Sequence, residues 1–315
     1  MEQRLPNNNE PNMSASAPQQ SCWHPKYWLL WFLFGLIYLI TRLPLPLQHA
    51  IGRLLGFCLY WLGPRRRHIA AVNIDLCLAQ LSTAERKTLL KQHFGHYGIS
   101  LIESFTAWWA SPATLQGRVE YEGLQHLQQA LDGGNGVLLI GSHFTTLEIG
   151  VRLLNLKIPF DMMYRPHKNL LFNTVMSKGR ERWGGKVIDR RDVRALLASL
   201  KNNHPLWYGP DQDYGRKHSV FVPFMGVTAA TVTGTSRLAK ISGAAVVPYF
   251  VERLKKSRYR IIVHPALENF PGDSTEADAE TINRIIEAQI RKSPVDYLWT
   301  HRRFKTRPDG EPRPY

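Results

Sequence analysis

The chain has 315 residues, 44% of them hydrophobic and 21% charged, and its 40 Lys and Arg outnumber 25 Asp and Glu for a formal net charge of +15. Length and apolar content fit one large domain with a terminal appendage and exclude a disordered chain. The cation excess selects polyanionic partners, which are nucleic acid, anionic lipid, phosphorylated substrates or an acidic carrier protein, and composition does not choose among them. The cysteines, Cys22, Cys58 and Cys77, form no CxxC pair. That argues against a zinc knuckle or thioredoxin-like motif and fits reduced thiols.

Residues 1–22 are rich in Asn, Pro, Ser and Gln and read as a flexible tail. Residues 23–47 contain the uncharged run YWLLWFLFGLIYLIT, with Trp23, Tyr27, Trp28 and Trp31 crowding its start. The run is a little short for a span but extends past Arg42 through a Leu-Pro alternation, so it predicts a transmembrane anchor helix. Basic residues predominate after it (Arg42, Arg53, Arg65, Arg66 and Arg67), which puts the main domain on the cytoplasmic side. Residues 48–68 predict an interfacial amphipathic segment, with Arg65 to His68 facing lipid headgroups.

From residue 69 to residue 315 the periodicity alternates between helix and strand. Helices are predicted over 83–107, 145–154, 169–183, 192–202, 231–242 and 275–293. Strands are predicted over 135–141, 159–164, 186–188, 205–209, 219–222, 245–252 and 258–264. This order implies an α/β fold with a mixed sheet flanked by helices.

In such folds ligands gather where strands end and helices begin. His143 lies at that boundary after strand 135–141, and Glu148 follows five positions later. On one continuous helix the two would point about 140° apart. With His143 in the loop and Glu148 in the first helical turn they can converge, and the carboxylate can then hold an imidazole that takes a proton from an attacking hydroxyl. Arg165, after another strand, can bind a lipid phosphate, stabilise a thioester oxyanion, or pair with a structural carboxylate. Asp211, Asp213 and Tyr214 can shape an acceptor pocket or form a plain turn, and no third ligand accompanies the two aspartates to suggest a metal. The basic residues Arg180, Arg182, Lys186, Arg190, Arg191 and Arg194 can dock an acidic carrier or form a solvated face. The cluster His301, Arg302, Arg303, Lys305 and Arg307 reads as anion-binding, and Phe221 to Met225 as either acyl-channel lining or core.

The stretch from His143 to Glu148 resembles the His-x4-Asp/Glu motif of glycerolipid and lipid A acyltransferases. HPKYWLLWFLFGLIYLI resembles the N-terminal anchor of the late lipid A biosynthesis acyltransferases. RRRHIAAVNIDLCL (65–78), YRPHKN (164–169), WYGPDQDYG (207–215), SVFVPFMG (219–226), TGTSRLAKISGA (233–244) and LWTHRRFKTRPDGEPRPY (298–315) resemble that family's blocks in order. The likeness is greatest to its lauroyl- and palmitoleoyl-transferring members. It implies a glycerolipid-acyltransferase-like fold and an O-acyltransferase. It further implies transfer of a fatty acyl chain from acyl carrier protein to a hydroxyacyl hydroxyl of Kdo(2)-lipid IVA, at the cytoplasmic face of a bacterial inner membrane. His143 would be the general base and Glu148 its partner, with no metal or cofactor. A glycerolipid acyltransferase with the same dyad is the alternative. A nucleic-acid-binding protein would need a module that the dispersed basic residues do not form, and the presence of both His143 and Glu148 speaks against a non-catalytic scaffold.

Overall fold

The computed structural model describes residues 22–315; the tail assigned to 1–22 lies outside them except at its last residue. The apolar N-terminal run does not form one helix. It gives α1 (Trp28–Ile40), which ends at Thr41, and α2 (Leu45–Leu62), with Pro44 between them. Proline disfavours helix in the residue before it, so the Leu43-Pro44 step breaks the run. At 13 residues α1 is about 20 Å long, against roughly 30 Å of bilayer hydrocarbon. No helix among the described residues is long and apolar enough to cross a membrane. The predicted transmembrane anchor over 23–47 is therefore corrected to a short helix, an elbow and the start of a second helix.

The segment assigned to 48–68 also divides differently. Most of it is α2, and Gly63 separates that helix from α3 (Pro64–Cys77). Both pack on α4 (Thr83–Trp109), the longest helix, which opens with a Ser82/Glu85 capping box. The α2–α4 contact is a glycine interlock. A Cβ on Gly98 would overlap the Gly52 carbonyl oxygen, and one on Gly56 would overlap the Phe94 carbonyl oxygen. The opposite faces stay apolar and exposed, with Trp28, Leu29, Phe32 and Leu39 on α1 and Leu54, Phe57, Trp61 and Leu62 on α2. Arg66 and Arg67 are engaged within the chain, donating to the Thr300 and Tyr60 carbonyls respectively.

The α/β architecture holds. After α5 (Pro112–Gln116), the elements are β1 (Val119–Glu122), α6 (Leu124–Asp132), β2 (Val137–Ile140), α7 (Leu147–Asn155), β3 (Asp161–Tyr164), α8 (Leu170–Glu181), β4 (Val187–Asp189), α9 (Val193–Lys201), β5 (Pro205–Tyr208), β6 (Ser219–Phe224), β7 (Val227–Val232), α10 (Gly234–Ser242), β8 (Ala245–Leu254), β9 (Arg258–Val263) and α11 (Thr275–Lys292). Seven strands form a mixed sheet in the order β1-β9-β8-β2-β5-β3-β4. All neighbours run parallel except β8 and β9.

Strand β2 is central and fully buried. Leu138 and Ile140 join one core with α9, α10 and α11, while Val137 and Leu139 join another with α6, α7 and α8. A strand covered on both faces reads as a continuous apolar run, which is what VLLI is. The β6–β7 hairpin stands apart from the sheet and packs on α11. Its turn holds Met225 and Gly226 at φ of 51° and 81°, and the Met225 N–H donates to Glu287. The helix expected over 231–242 starts later, at Gly234, and residues 231 and 232 end β7.

The glycine interlock makes α2 sensitive to one methyl group. Gly98→Ala is expected to cost about 1–3 kcal/mol or more by forcing two backbones apart, read as a lower urea midpoint, whereas Gly35→Ala, where a Cβ meets nothing within 4 Å, is expected to be neutral.

Candidate active site

Strands β2 and β5 are adjacent and parallel, with Ile140 beside Tyr208. Their C-terminal ends therefore deliver two loops side by side, Gly141-Ser142-His143 and Gly209-Pro210-Asp211. His143 Nδ1 lies 2.6 Å from Asp211 Oδ1, and the His143 backbone N–H donates to Asp211 Oδ2 at 2.9 Å. The carboxylate thus grips both the ring and the main chain of one residue. Gly209 keeps the space clear: a Cβ there would come within 2.9 Å of His143 Cε1. The imidazole side chain is 21% exposed and that of Asp211 only 2%, so an incoming group can reach the ring while the acid stays covered. Burial alone would raise the Asp211 pKa. The attraction and hydrogen bonds of His143 outweigh it and hold the carboxyl below the usual range.

Glu148 is placed differently from the predicted dyad. It sits on the first turn of α7, where Trp108 Nε1 of α4 donates to it at 3.0 Å and Arg180 of α8 pairs with it. Burial opposes its ionisation. Arg180 chiefly overcomes this, with Trp108 adding to it and His143 making the last contribution, and the carboxyl is held low. The partner at Nδ1 is Asp211 because neighbouring strand ends put it there, whereas the start of α7 turns Glu148 toward α4 and α8. Two acid–base pairs thus stand at one edge of the sheet, His143–Asp211 and Glu148–Arg180.

The His143 loop is braced from its other side by the C-terminal segment. The His143 carbonyl accepts from Leu298 N–H at 2.9 Å, and Thr145 N–H donates to the Asp296 carbonyl at 2.7 Å. Thr145 Oγ1 also donates to the Asp296 carboxylate at 2.6 Å. Asp296 and Glu103 of α4 share the buried guanidinium of Arg253 on β8, and Glu103 also accepts from Tyr259 at 2.7 Å.

The other predicted residues fall as follows. Arg165 is exposed after β3 and makes no hydrogen bond or ion pair among the described residues. Tyr214 is 43% exposed and stacks under Arg190. Asp213 is buried and accepts from Thr306 N–H and Oγ1, so its role is to pin the C-terminal segment. Arg303 is also buried and donates to the Ala230 carbonyl and Thr231 Oγ1, while Arg307 bonds the Thr228 carbonyl and Glu311. The expected anion-binding cluster is therefore, at those two positions, a clamp on β7. Phe224 is wholly buried in core rather than channel-lining. In the basic stretch Arg180 turns inward, and Arg191 pairs with Asp189. Trp108, Glu103, Arg253 and Asp296 were not singled out from the sequence, where nothing local sets them apart. His/Cys/Asp/Glu clusters able to hold a metal are absent among the described residues.

A family model for bacterial lipid A biosynthesis acyltransferases matches residues 17–306. The lipid A biosynthesis palmitoleoyltransferase of Escherichia coli K12 is 39% identical over 290 residues, covering 91% of this chain and 94% of its own. The lauroyltransferase of the same strain is 37% identical over 294 residues, covering 93% and 96%. The crystal structure of a 1-acyl-sn-glycerophosphate acyltransferase from Thermotoga maritima superposes with a TM-score of 0.38 at 10% identity, covering 78% of this chain and 97% of that one, too distant to carry an argument.

The Arg253 cluster is a buried charge set, and removing one member strands another. Glu103→Ala is expected to lose about 3–5 kcal/mol of stability in chemical denaturation, far more than removal of an exposed pair such as Arg284–Glu280.

His93 on α4 is buried, and that burial presses its pKa down to about 4, only partly opposed by a bond to the Val295 carbonyl. Because the folded value lies below the unfolded one, near 6.5, the unfolded chain takes the proton first as pH falls. The stability His93 contributes is thus complete above about pH 6.5 and lost progressively toward pH 4, a difference of about 3 kcal/mol. Unfolding at pH 7 and 4.5 is expected to show that loss in the native protein and a shallower one in His93→Gln.

Proposed function

The chain belongs to the bacterial lipid A biosynthesis acyltransferase family, and from that premise we propose that it moves a fatty acyl chain, laurate or one similar, from an acyl carrier protein thioester to a hydroxyl on a hydroxyacyl chain of Kdo(2)-lipid IVA. The observation that carries the mechanism is the 2.6 Å contact between His143 Nδ1 and Asp211. With Nδ1–H donated to the carboxylate, the lone pair on Nε2 is free to act as a base. Nε2 takes the proton of the acceptor hydroxyl as its oxygen attacks the thioester carbonyl. The tetrahedral intermediate collapses with cleavage of the C–S bond, and the imidazolium returns the proton to the departing sulfur. Asp211, held ionised, offsets the imidazolium charge through the step.

In this reading the predicted His143–Glu148 dyad is replaced at Nδ1 by Asp211. Glu148 acts through Arg180: it fixes the guanidinium at the same edge, where the cation can meet the thioester oxyanion or an acceptor phosphate. Arg165 and Tyr214 lie on exposed ground beyond β3 and β5, suited to contacts with the substrate's outer parts. The setting we propose is the cytoplasmic face of a bacterial inner membrane, with the exposed apolar faces of α1 and α2 in the lipid interface. No metal or cofactor takes part in this scheme.

Acyl transfer to Kdo(2)-lipid IVA, followed by mass spectrometry with a panel of carrier-protein thioesters, tests the reading. His143→Ala and Asp211→Asn are expected to lose about 100-fold or more in kcat. Glu148→Gln is expected to lose activity together with Arg180→Gln, and the double variant to be little worse than either single, since the pair acts as a unit. Full activity in Asp211→Asn would sink the proposed base, and acylation of glycerol phosphates alone would sink the acceptor.

A further inference from the structure

The elbow between α1 and α2 forms one wall of a cleft of about 710 Å³, whose lining includes Arg42, Leu43, Pro44, Arg118, Lys256 and Arg258. These groups come from three distant parts of the chain: the elbow, the end of α5, and the turn between β8 and β9. Four cations converge there. Glu120 pairs with Arg258 but is shared with Arg260. Among the described residues, Arg42, Arg118 and Lys256 have no carboxylate partner; Arg42 lies over the Tyr38 ring and bonds its hydroxyl. Like charges held together without counterions repel one another, and an anion seated among them relieves that repulsion.

What surrounds the cleft indicates the kind of anion. The elbow contributes Leu43 and Pro44 to the lining, and the helices that leave it carry exposed apolar side chains, Leu36 and Leu39 on α1 and Leu47 and Leu54 on α2. The cationic pocket therefore sits at the junction of two helices that expose apolar surface. A phospholipid has the matching profile, with a phosphate next to hydrocarbon, and guanidinium and ammonium groups are the usual phosphate ligands. An acidic carrier protein matches the charge but not the bare leucines on both sides.

We propose that the cleft of Arg42, Arg118, Lys256 and Arg258 binds the phosphate headgroup of an anionic membrane phospholipid and so fixes how deeply α1 and α2 sit at the lipid surface. This rests on the interfacial seating proposed for those helices and not on the acyl-transfer chemistry. It also moves the headgroup contact away from Arg66 and Arg67, whose guanidinium groups are engaged within the chain.

The test is co-sedimentation of the full chain with phosphatidylcholine vesicles and with vesicles containing phosphatidylglycerol. Arg118→Gln/Lys256→Gln is compared with Lys201→Gln/Lys217→Gln, which removes the same charge elsewhere, and with Arg118→Lys/Lys256→Arg, which keeps it in place. Wild type, the distant control and the conservative pair are expected to prefer phosphatidylglycerol. The cleft variant is expected to lose about 30-fold of that preference, the product of two surface cations, while its acyl transfer in detergent and its circular dichroism stay unchanged. Equal losses in the cleft variant and the distant control would reduce the effect to net charge and overturn the site. So would an unchanged preference in the cleft variant. A raised KM for the carrier-protein thioester in detergent would instead assign the cleft to the carrier. Because binding is read without turnover, failure of the acyl-transfer reading leaves this result interpretable.

Discussion

The buried guanidinium of Arg253 holds the parts of this protein in register. It reaches from β8 to Glu103 on the long helix α4 and to Asp296 in the C-terminal segment, and its side chain is 4% exposed. Burying such charges costs several kcal/mol per ion, so the cluster is a poor source of net stability by itself. Its consequence is positional. Asp296 also binds Thr145 through both its carboxylate and its backbone carbonyl, and Thr145 is two residues from His143. The helix layer, the sheet and the chain's end are thereby tied to the loop that carries His143. A hydrophobic replacement could fill the volume but could not set that loop's orientation.

The strand order completes the arrangement. Parallel neighbours end on the same edge, so β2 and β5 present His143 and Asp211 together, while α7, starting just past His143, carries Glu148 toward α4 and α8. Backbone geometry thus assigns the two acids different tasks. One is almost fully buried and grips the ring and main chain of the histidine, and the other holds an arginine. Both are held ionised against the cost of burial, Asp211 chiefly by its contacts with His143 and Glu148 chiefly by Arg180. His301 stands close by with burial pressing its pKa down to about 4, so it stays neutral and leaves the charge balance to those pairs.

Much of the sheet was legible because buried parallel strands are short apolar runs: VLLI at 137–140 and the run at 245–252 are short and preceded by glycines, which favours strand over helix. His143 was legible from its place between a strand and a helix, and Asp211 from the turn after another strand. That these two would touch was not legible, since sequence does not show that β2 and β5 are neighbours. The spacing to Glu148 was local and visible and pointed to it as the partner, whereas the hydrogen bond of the ring goes to Asp211. The N-terminal run misled for a different reason. Its hydropathy is that of a membrane segment, but the Leu43-Pro44 step and the glycines at 52 and 56 spend it on a bent helix pair, one arm of which locks onto α4. Strand β7 was hidden because its two central alanines dilute the strand preference of the Val and Thr residues in VTAATV, and what fixes it, the bonds from Arg303 and Asn283, is distant in sequence.

The helix pair and the sheet edge that carries the two acid–base pairs are mechanically continuous. Phe34 of α1 packs against Phe105 and Trp109 of α4 and Phe172 of α8. The next residue on α4, Trp108, donates to Glu148, and α8 supplies Arg180. An unbroken path of rings therefore runs from the exposed apolar face to the second acid–base pair. Under the proposed membrane seating this arrangement has a physical rationale. A multiply acylated substrate cannot leave lipid without exposing its chains, at a cost of roughly 25 cal/mol per Å², so the reacting hydroxyl has to be met at the interface. Under that seating the rings join the lipid-facing helix to the Glu148–Arg180 pair, which stands at the same edge of the sheet as His143 and Asp211.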